Sequence, residues 1–159
     1  MKTAVVLSDT HGNKKDLLKL EGIIKEADYI FHLGDGFYDL NIFGTDITKK
    51  IVQVVGNCDP VAFDSERLLE IEGVKIFMTH GHLYGAKGGN LRLLYKAKEV
   101  GADVCFYGHS HQAVIEEVDG VTLANPGNVT RYSTNKTFIY AVFDKGKAVL
   151  KINDYTLNQ

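Results

Sequence analysis

The sequence predicts an α/β (α+β) fold made of two packed, largely mixed β-sheets with helices outside. Three observations carry this reading. Short apolar runs recur through the first two thirds of the chain, each closed by a polar turn. The first run is followed by an amphipathic stretch and then by another apolar run, the β-α-β order of parallel strands. The last third is rich in hairpins, which argues against a single doubly wound sheet.

Taken in order, the run over residues 4–7 is continuously apolar, as suits a strand covered on both faces. Leu17, Leu20, Ile24 and Ala27 then recur at helical spacing, with Leu18 and Ile23 widening the stripe, so residues 14–26 form an amphipathic helix with Asn13 as its cap. Residues 28–33 form a second strand ending at Gly34-Asp35-Gly36, and 51–55 a third ending at Gly56-Asn57-Cys58-Asp59-Pro60. Between them, 37–50 has no clear period and holds at most a short helix. Residues 67–71 and 74–79 flank Glu72-Gly73 as a hairpin that stops at His80-Gly81-His82. The glycine-rich stretch 84–90 lacks the spacing of a phosphate-binding P-loop. It leads into a helix with Leu91, Leu94 and Tyr95 on one face. Residues 103–107 form a strand closed by Gly108-His109-Ser110-His111. Two hairpins follow, 113–118 with 121–124 and 137–143 with 148–152.

Composition bounds the function. The 159 residues, 45% hydrophobic and 24% charged, are expected to form one globular domain over 1–159. A net charge of -2 with no basic run argues against a phosphate-backbone surface, so no specific nucleic-acid binding is expected. No run has the length of a signal-peptide core or a membrane span, and two cysteines, Cys58 and Cys105, make no disulfide framework. A cytoplasmic protein that does not engage a membrane is expected.

Five apolar runs end in metal-ligand residue types, and five of the six histidines (His11, His80, His82, His109, His111) stand at those exits. Asp35 and Asn57 taken singly are ordinary turn residues; their placement is the informative fact. Asp9 and His11, two residues apart in extended chain, point to one side, as do the imidazoles of each His-x-His. His32, inside an apolar run, reads as a core histidine or one supporting the ligands. Imidazole, carboxylate and amide oxygen without thiolate suit Mn, Fe, Ni, Co or Zn in an open, catalytic site. Seven candidates, Asp9, His11, Asp35, Asn57, His80, His109 and His111, are too many for one ion and suit two. Asp35 is the natural bridge, because each carboxylate oxygen can face a cation. Two ions sharing a bridge point to phosphoester hydrolysis.

Asp9-x-His11, Gly34-Asp35, Gly56-Asn57-x-Asp59, Thr79-His80-Gly81-His82 and Gly108-His109-Ser110-His111, in that order, resemble the metal signature of the calcineurin-like metallophosphoesterases. Asn125-Pro126-Gly127-Asn128 resembles a segment of the small, single-domain bacterial and archaeal phosphodiesterases of that superfamily. The resemblance implies a four-layer αββα sandwich. It places Asp9, His11, Asp35 and His111 around one ion and Asp35, Asn57, His80 and His109 around the other, with a hydroxide bridging the two as nucleophile. Manganese is the first choice of metal and a small phosphoester the substrate; a homodimer or higher homo-oligomer is compatible with it. Two alternatives stand beside a phosphodiesterase: a non-enzymatic protein-binding scaffold resembling the retromer subunit of this fold, and a phosphomonoesterase.

Cys58 departs from the family, where a histidine acting as general acid often follows the asparagine. It reads here as a buried packing residue, with His82 as substitute acid or phosphate contact, and Asn57 and His82 orienting the ester. Asn128 stands where serine is frequent, which bears on local turn chemistry. Arg131 reads as a solvated arginine, with a phosphate contact as the alternative.

Overall fold

The computed structural model describes residues 1–155 and contains two five-stranded sheets. The first sheet has the order β10-β9-β1-β2-β3, from β1 (Lys2–Leu7), β2 (Tyr29–His32), β3 (Ile51–Gln53), β9 (Thr137–Asp144) and β10 (Lys147–Asp154). The second runs β4-β5-β6-β8-β7, from β4 (Glu66–Ile71), β5 (Val74–Thr79), β6 (Val104–Phe106), β7 (Val114–Val118) and β8 (Val121–Asn125). Both are mixed. β1, β2 and β3 are mutually parallel, as are β5, β6 and β8, while β9, β10, β4 and β7 pair antiparallel at the flanks. The expected antiparallel character of the last third thus holds for its hairpins but not for β8, whose other neighbour is the parallel β6.

Three apolar layers hold four structural layers together. Between the sheets lie Val6, Phe31, Ile76, Met78, Phe106 and Phe143. The outer face of the first sheet, with Val5, Leu7 and Ile30, is covered by Leu17, Leu20, Ile24 and Ile47. That of the second, with Phe77 and Cys105, is covered by Leu93, Leu94 and Ala97. This is the αββα sandwich, and it explains the unbroken apolar run at the start: Ala4 to Leu7 are fully buried because β1 is covered on both faces.

Two local expectations are corrected, and the segment left open is resolved. The stretch 14–26 is two helices, α1 (Lys14–Leu18) and α2 (Glu21–Glu26), broken at Lys19-Leu20. The ambiguous segment 37–50 holds a 3₁₀ turn (Asp39–Ile42) and a single helical turn, α3 (Thr45–Thr48). On α4 (Leu91–Glu99) the buried face is Leu93, Leu94 and Ala97, whereas Leu91 and Tyr95 are exposed, so the helix is rotated from its expected face.

Phe31 stands at the centre of the inter-sheet layer, its ring centroid 5.8 Å from Phe106 and 6.4 Å from Phe143. Phe31→Ala is expected to lower unfolding free energy by about 3–5 kcal/mol, because both sheets pack on this ring and cannot collapse into the space. A urea titration read by circular dichroism checks it.

Candidate metal centre

All six parallel strands end on the same side, and the loops beyond their carboxyl ends carry the candidate residues. Open sheets place their sites at such strand ends. Asp9 and His11 follow β1, Asp35 follows β2, Asn57 follows β3, His80 and His82 follow β5, and His109 and His111 follow β6. The loops are tied across the sheets: Asp9 N donates to Gly34 O (3.0 Å), His11 N to Asp35 O (3.0 Å), and Gly108 N to His80 O (2.9 Å).

The side chains converge, but not by the pleat alternation expected of extended chain. Asp9, His11, Asp35, His109 and His111 all have left-handed backbones, with φ of 53°, 45°, 59°, 69° and 63°. Each such residue costs about 1–3 kcal/mol unless its surroundings fix it. Gly108 is one reason the turns can close: a Cβ there would collide with Ser8 and Asp9. Likewise a Cβ on Gly56 would strike the Asp35 carboxylate.

Two clusters of donor atoms result. One is Asp9, His11 and His111, with Asp9 Oδ1 3.5 Å from His11 Nε2 and 3.1 Å from His111 Nε2. The other is Asp35, His80 and His109, with Asp35 Oδ2 3.3 Å from His80 Nε2. Asp35 Oδ2 also lies 3.6 Å from His11 Nε2, so it stands between the clusters. The expectation that Asp35 would offer one oxygen to each side is corrected, since Oδ1 accepts from Cys58 N (2.8 Å) and only Oδ2 faces inward. Asn57 is exposed at the rim, its Nδ2 donating to Cys58 Sγ (3.5 Å).

The residues fit a divalent cation. Asp9 Oδ1 and His80 Nε2 are buried without a hydrogen-bond partner, although both face other donor atoms across the centre. Their opposite atoms are occupied. Asp9 Oδ2 accepts from Ser8 Oγ (2.6 Å) and His109 N (3.0 Å), and His80 Nδ1 donates to Leu33 O (2.8 Å). That bond places the proton on Nδ1 and leaves the Nε2 lone pair aimed at the centre, as in metal-ligating histidines. Without a metal, burial would raise the Asp9 and Asp35 carboxyls, but the imidazoles of His11 and His111 on Asp9, and of His80 on Asp35, outweigh it and hold both low. His11 is raised by Asp9, and His80 is raised by the two carboxylates against its own burial. Burial, then the charge of His80, pushes His82 and His109 below the ordinary histidine value.

A supporting frame surrounds these atoms, and much of it had no sequence signal. The Asp59 carboxylate accepts four backbone N–H groups: Asp35 (2.8 Å) and Gly56 (2.7 Å) on Oδ2, Gly36 (2.8 Å) and Phe37 (3.0 Å) on Oδ1. It clamps the loops after β2 and β3 together. His32 is fully buried with both ring nitrogens bonded: Gly34 N donates to its Nδ1, so Nε2 carries the proton and donates to Thr10 Oγ1 (3.0 Å). Thr10 Oγ1 in turn donates to Asp39, which also accepts from Gly12 N (2.8 Å). Asn128 does more than local turn chemistry, because its Nδ2 donates to the His111 carbonyl (3.0 Å). Cys58 is exposed, not a buried packing residue, and its thiol lies within reach of His11 and Asp35. Burial and then the Asp35 charge raise its pKa, keeping it a thiol. His82, half-buried, opens a 3₁₀ turn, with its ring centroid 5.4 Å from that of His80.

Two openings flank the centre. A cavity of about 650 Å³ meets it at His11 and His111 and is walled by Asn128, Thr130, Arg131 and Tyr132. A smaller one of about 240 Å³ lies beside Asp35 and Cys58, against Phe37 and Tyr38.

Comparison with known proteins places this geometry. Residues 1–147 match the profile of the calcineurin-like phosphoesterase superfamily domain. The probable metallophosphoesterase YsnB of Bacillus subtilis is 33% identical over 98% of this chain and 92% of its own length. Phosphodiesterase MJ0936 of Methanocaldococcus jannaschii is 30% identical, over 81% of this chain and 85% of its own. In fold alone, wild-type Vps29 of Entamoeba histolytica complexed with Zn²⁺ superposes with a TM-score of 0.74 at 17% identity, over 96% of this chain and 98% of that one.

Two predictions follow from the frame and its charges. Asp59→Asn replaces two of the four acceptor positions by an amide nitrogen and is expected to cost about 1–3 kcal/mol of stability. It should also lower metal stoichiometry measured by plasma emission spectrometry; unchanged metal content would show that the clamp does not position ligands. The second concerns pH. His11 and His80 have raised folded-state values without metal, so their ion pairs stabilise the metal-free protein fully below about pH 6.5 and are lost as pH rises through those values. Metal requires the neutral imidazoles and displaces those protons. The thermal shift on adding Mn²⁺ is therefore expected to be larger at pH 8 than at pH 6, by scanning calorimetry.

Proposed function

The chain belongs to the calcineurin-like phosphoesterase superfamily, and from that premise we propose that it is a phosphodiesterase with a dinuclear metal centre. The observation that carries the proposal is the pair of donor clusters meeting at Asp35 Oδ2, with buried, unpartnered Asp9 Oδ1 and His80 Nε2 facing inward. Asp9, His11, Asp35 and His111 would hold one ion, and Asp35, Asn57, His80 and His109 the other. Divalent ions held there supply Lewis acidity toward the phosphoryl oxygens and lower the pKa of water to about 7, with manganese the first metal to test and Ni, Fe, Zn and Co the others.

The chain's own residues then do three things. The tethered atoms of Asp9, Asp35 and His80 fix the ligands before substrate arrives, so no reorganisation is needed during reaction. Asn57 and His82, on opposite loops of the rim, orient the phosphoryl group. Burial keeps His82 a neutral imidazole, which suits a hydrogen-bond contact better than proton donation to the leaving oxygen. Water adds to phosphorus as the bond to one ester oxygen breaks, giving a phosphomonoester and an alcohol, with the proton passing to the departing oxygen. The openings on two sides give the two arms of a diester separate exits, which favours a diester over a monoester. The product is a small phosphoester, and a cytoplasmic site of action is consistent with this chemistry.

The second reading is a protein-binding scaffold, favoured by the fold shared with Vps29. Because that neighbour is complexed with Zn²⁺, metal occupancy alone does not separate the readings, and turnover does. Protein stripped of metal and reloaded with each ion in turn is expected to hydrolyse a bis-nitrophenyl phosphate faster than nitrophenyl phosphate. Absence of turnover with every metal would favour the scaffold. Asp35→Asn should abolish turnover and reduce bound metal to one ion or none; near-wild-type turnover would sink the dinuclear centre. His82→Ala is expected to slow aryl and alkyl diesters alike, by about 10²-fold, as loss of an orienting donor does. A loss of about 10²–10⁴-fold confined to alkyl esters would instead identify His82 as the general acid.

A further inference from the structure

We infer that a second anion-binding subsite adjoins the metal centre, formed by Lys14, Lys15, Lys19, Arg131 and Lys136, and that it receives a second phosphate group carried on the substrate's non-leaving arm. The inference rests on the phosphodiesterase reading and adds a substrate class to it: diesters that also bear a phosphomonoester.

These side chains line a cavity of about 430 Å³ together with Gly12, Asn13 and Asp16. Five cationic side chains meet one carboxylate there, in a chain whose 20 acidic residues outnumber its 18 basic ones. No apolar residue lines the cavity, and its cationic lining suits a compact dianion. The single carboxylate is already engaged. Asp16 Oδ1 lies 2.9 Å from Lys19 Nζ, while Oδ2 lies 3.3 Å from Lys136 Nζ and accepts from Asn13 Nδ2 (2.6 Å). It therefore anchors two of the lysines along the cavity. Lys14, Lys15 and Arg131 are exposed around it.

Continuity with the metal centre supplies the link to substrate. Arg131 lines both this cavity and the larger one that opens on His11 and His111, so the two spaces adjoin at this residue. Gly12, next to His11, lines the basic cavity, and Lys14 follows His11 by three residues, a span of at most about 11 Å. Two phosphates on the hydroxyls of one sugar lie within that upper bound. The basic residues come from two segments, 14–19 and 131–136, 112 positions apart at their near ends, which is why the sequence shows no basic run. Arg131 is thus placed as a phosphate contact, the alternative that the sequence left second.

The test compares two chromogenic diesters on the Mn-loaded protein: nitrophenyl thymidine monophosphate, with and without a second phosphate on the sugar's other hydroxyl. Reacting bond and leaving group are the same in both. The phosphorylated substrate is expected to show a KM about tenfold lower, with similar kcat. In Lys14→Ala/Arg131→Ala the KM ratio should fall to near one, whereas in Lys147→Ala/Lys151→Ala, on β10 with the same loss of charge, it should persist. A ratio near one in the wild type, or one unmoved by the first double substitution, overturns the inference. Failure of the phosphodiesterase reading looks different, since neither substrate would then release nitrophenol. Calorimetry on the same proteins decides the subsite independently of turnover: thymidine bisphosphate should bind about tenfold tighter than the monophosphate, and the first double substitution should abolish the difference. Equal affinities in the wild type overturn the subsite. If that substitution weakens inorganic phosphate as much as the bisphosphate, the cavity holds free phosphate and the substrate assignment is overturned.

Discussion

The interaction on which the rest of this structure depends is an unfavourable one: carboxylate and imidazole lone pairs are gathered around one small volume that excludes water from several of them. A buried polar atom without a hydrogen-bond partner costs of the order of 1–3 kcal/mol; Asp9 Oδ1 and His80 Nε2 have none, and only the charges of the neighbouring imidazoles and carboxylates offset that cost. Each is held in place by a bond to the atom on its far side, from Ser8 and His109 to Asp9 and from His80 to Leu33. The fold thereby supplies every contact except the inward one, and a cation completes the set. The left-handed backbones at five candidate ligand positions belong to the same arrangement, because strained turns persist only where surrounding bonds over-determine them.

Asp59 shows how far that determination reaches. It faces no donor cluster, but its two oxygens collect four amide groups from two loops and set the relative position of Asp35 and Asn57. Its low carboxyl pKa has the matching cause, since burial would raise it and those amides reverse the effect. On the other sheet, Asn125 and Asn128 do for the His109–His111 loop what Asp59 does for the first sheet: Asn125 Nδ2 donates to Gly108 O and Ser110 Oγ, and Asn128 to His111 O.

Legibility followed periodicity and residue type. Strands buried on both faces read directly as apolar runs, and the two-sheet architecture followed from hairpins in the last third. All seven ligand types could be placed because each stood at the end of such a run. What could not be read was whatever depends on a side chain's second atom or on a neighbour distant in sequence. The role of Asp59 is one case, the chain from His32 through Thr10 to Asp39 another, since Asp39 lies in a segment with no period. The rotation of α4 was misread because Leu91 and Tyr95 satisfy helical spacing as well as the residues that are buried. Cys58 was misjudged for a plainer reason: thiols are usually buried, and this one sits on a polar turn at the rim.

The position of β1 has a consequence for how the protein acquires its chemistry. The strand that delivers Asp9 and His11 is the middle of its sheet, with the parallel β2 on one side and the antiparallel β9 on the other, where Lys2 pairs with Phe143 and Val6 with Ile139. A nascent chain that has made β1 and β2 still lacks one ladder of the strand on which the site is built. It also lacks the amide of His109 that fixes Asp9. Long-range pairing of this kind is slow, because the entropy of closing the loop is lost before the contacts form. One edge of β1 stays uncovered until the last hairpin pairs with it. The bond from the His109 amide to Asp9 likewise spans 100 positions, so the candidate metal centre takes shape only once the two sheets have docked.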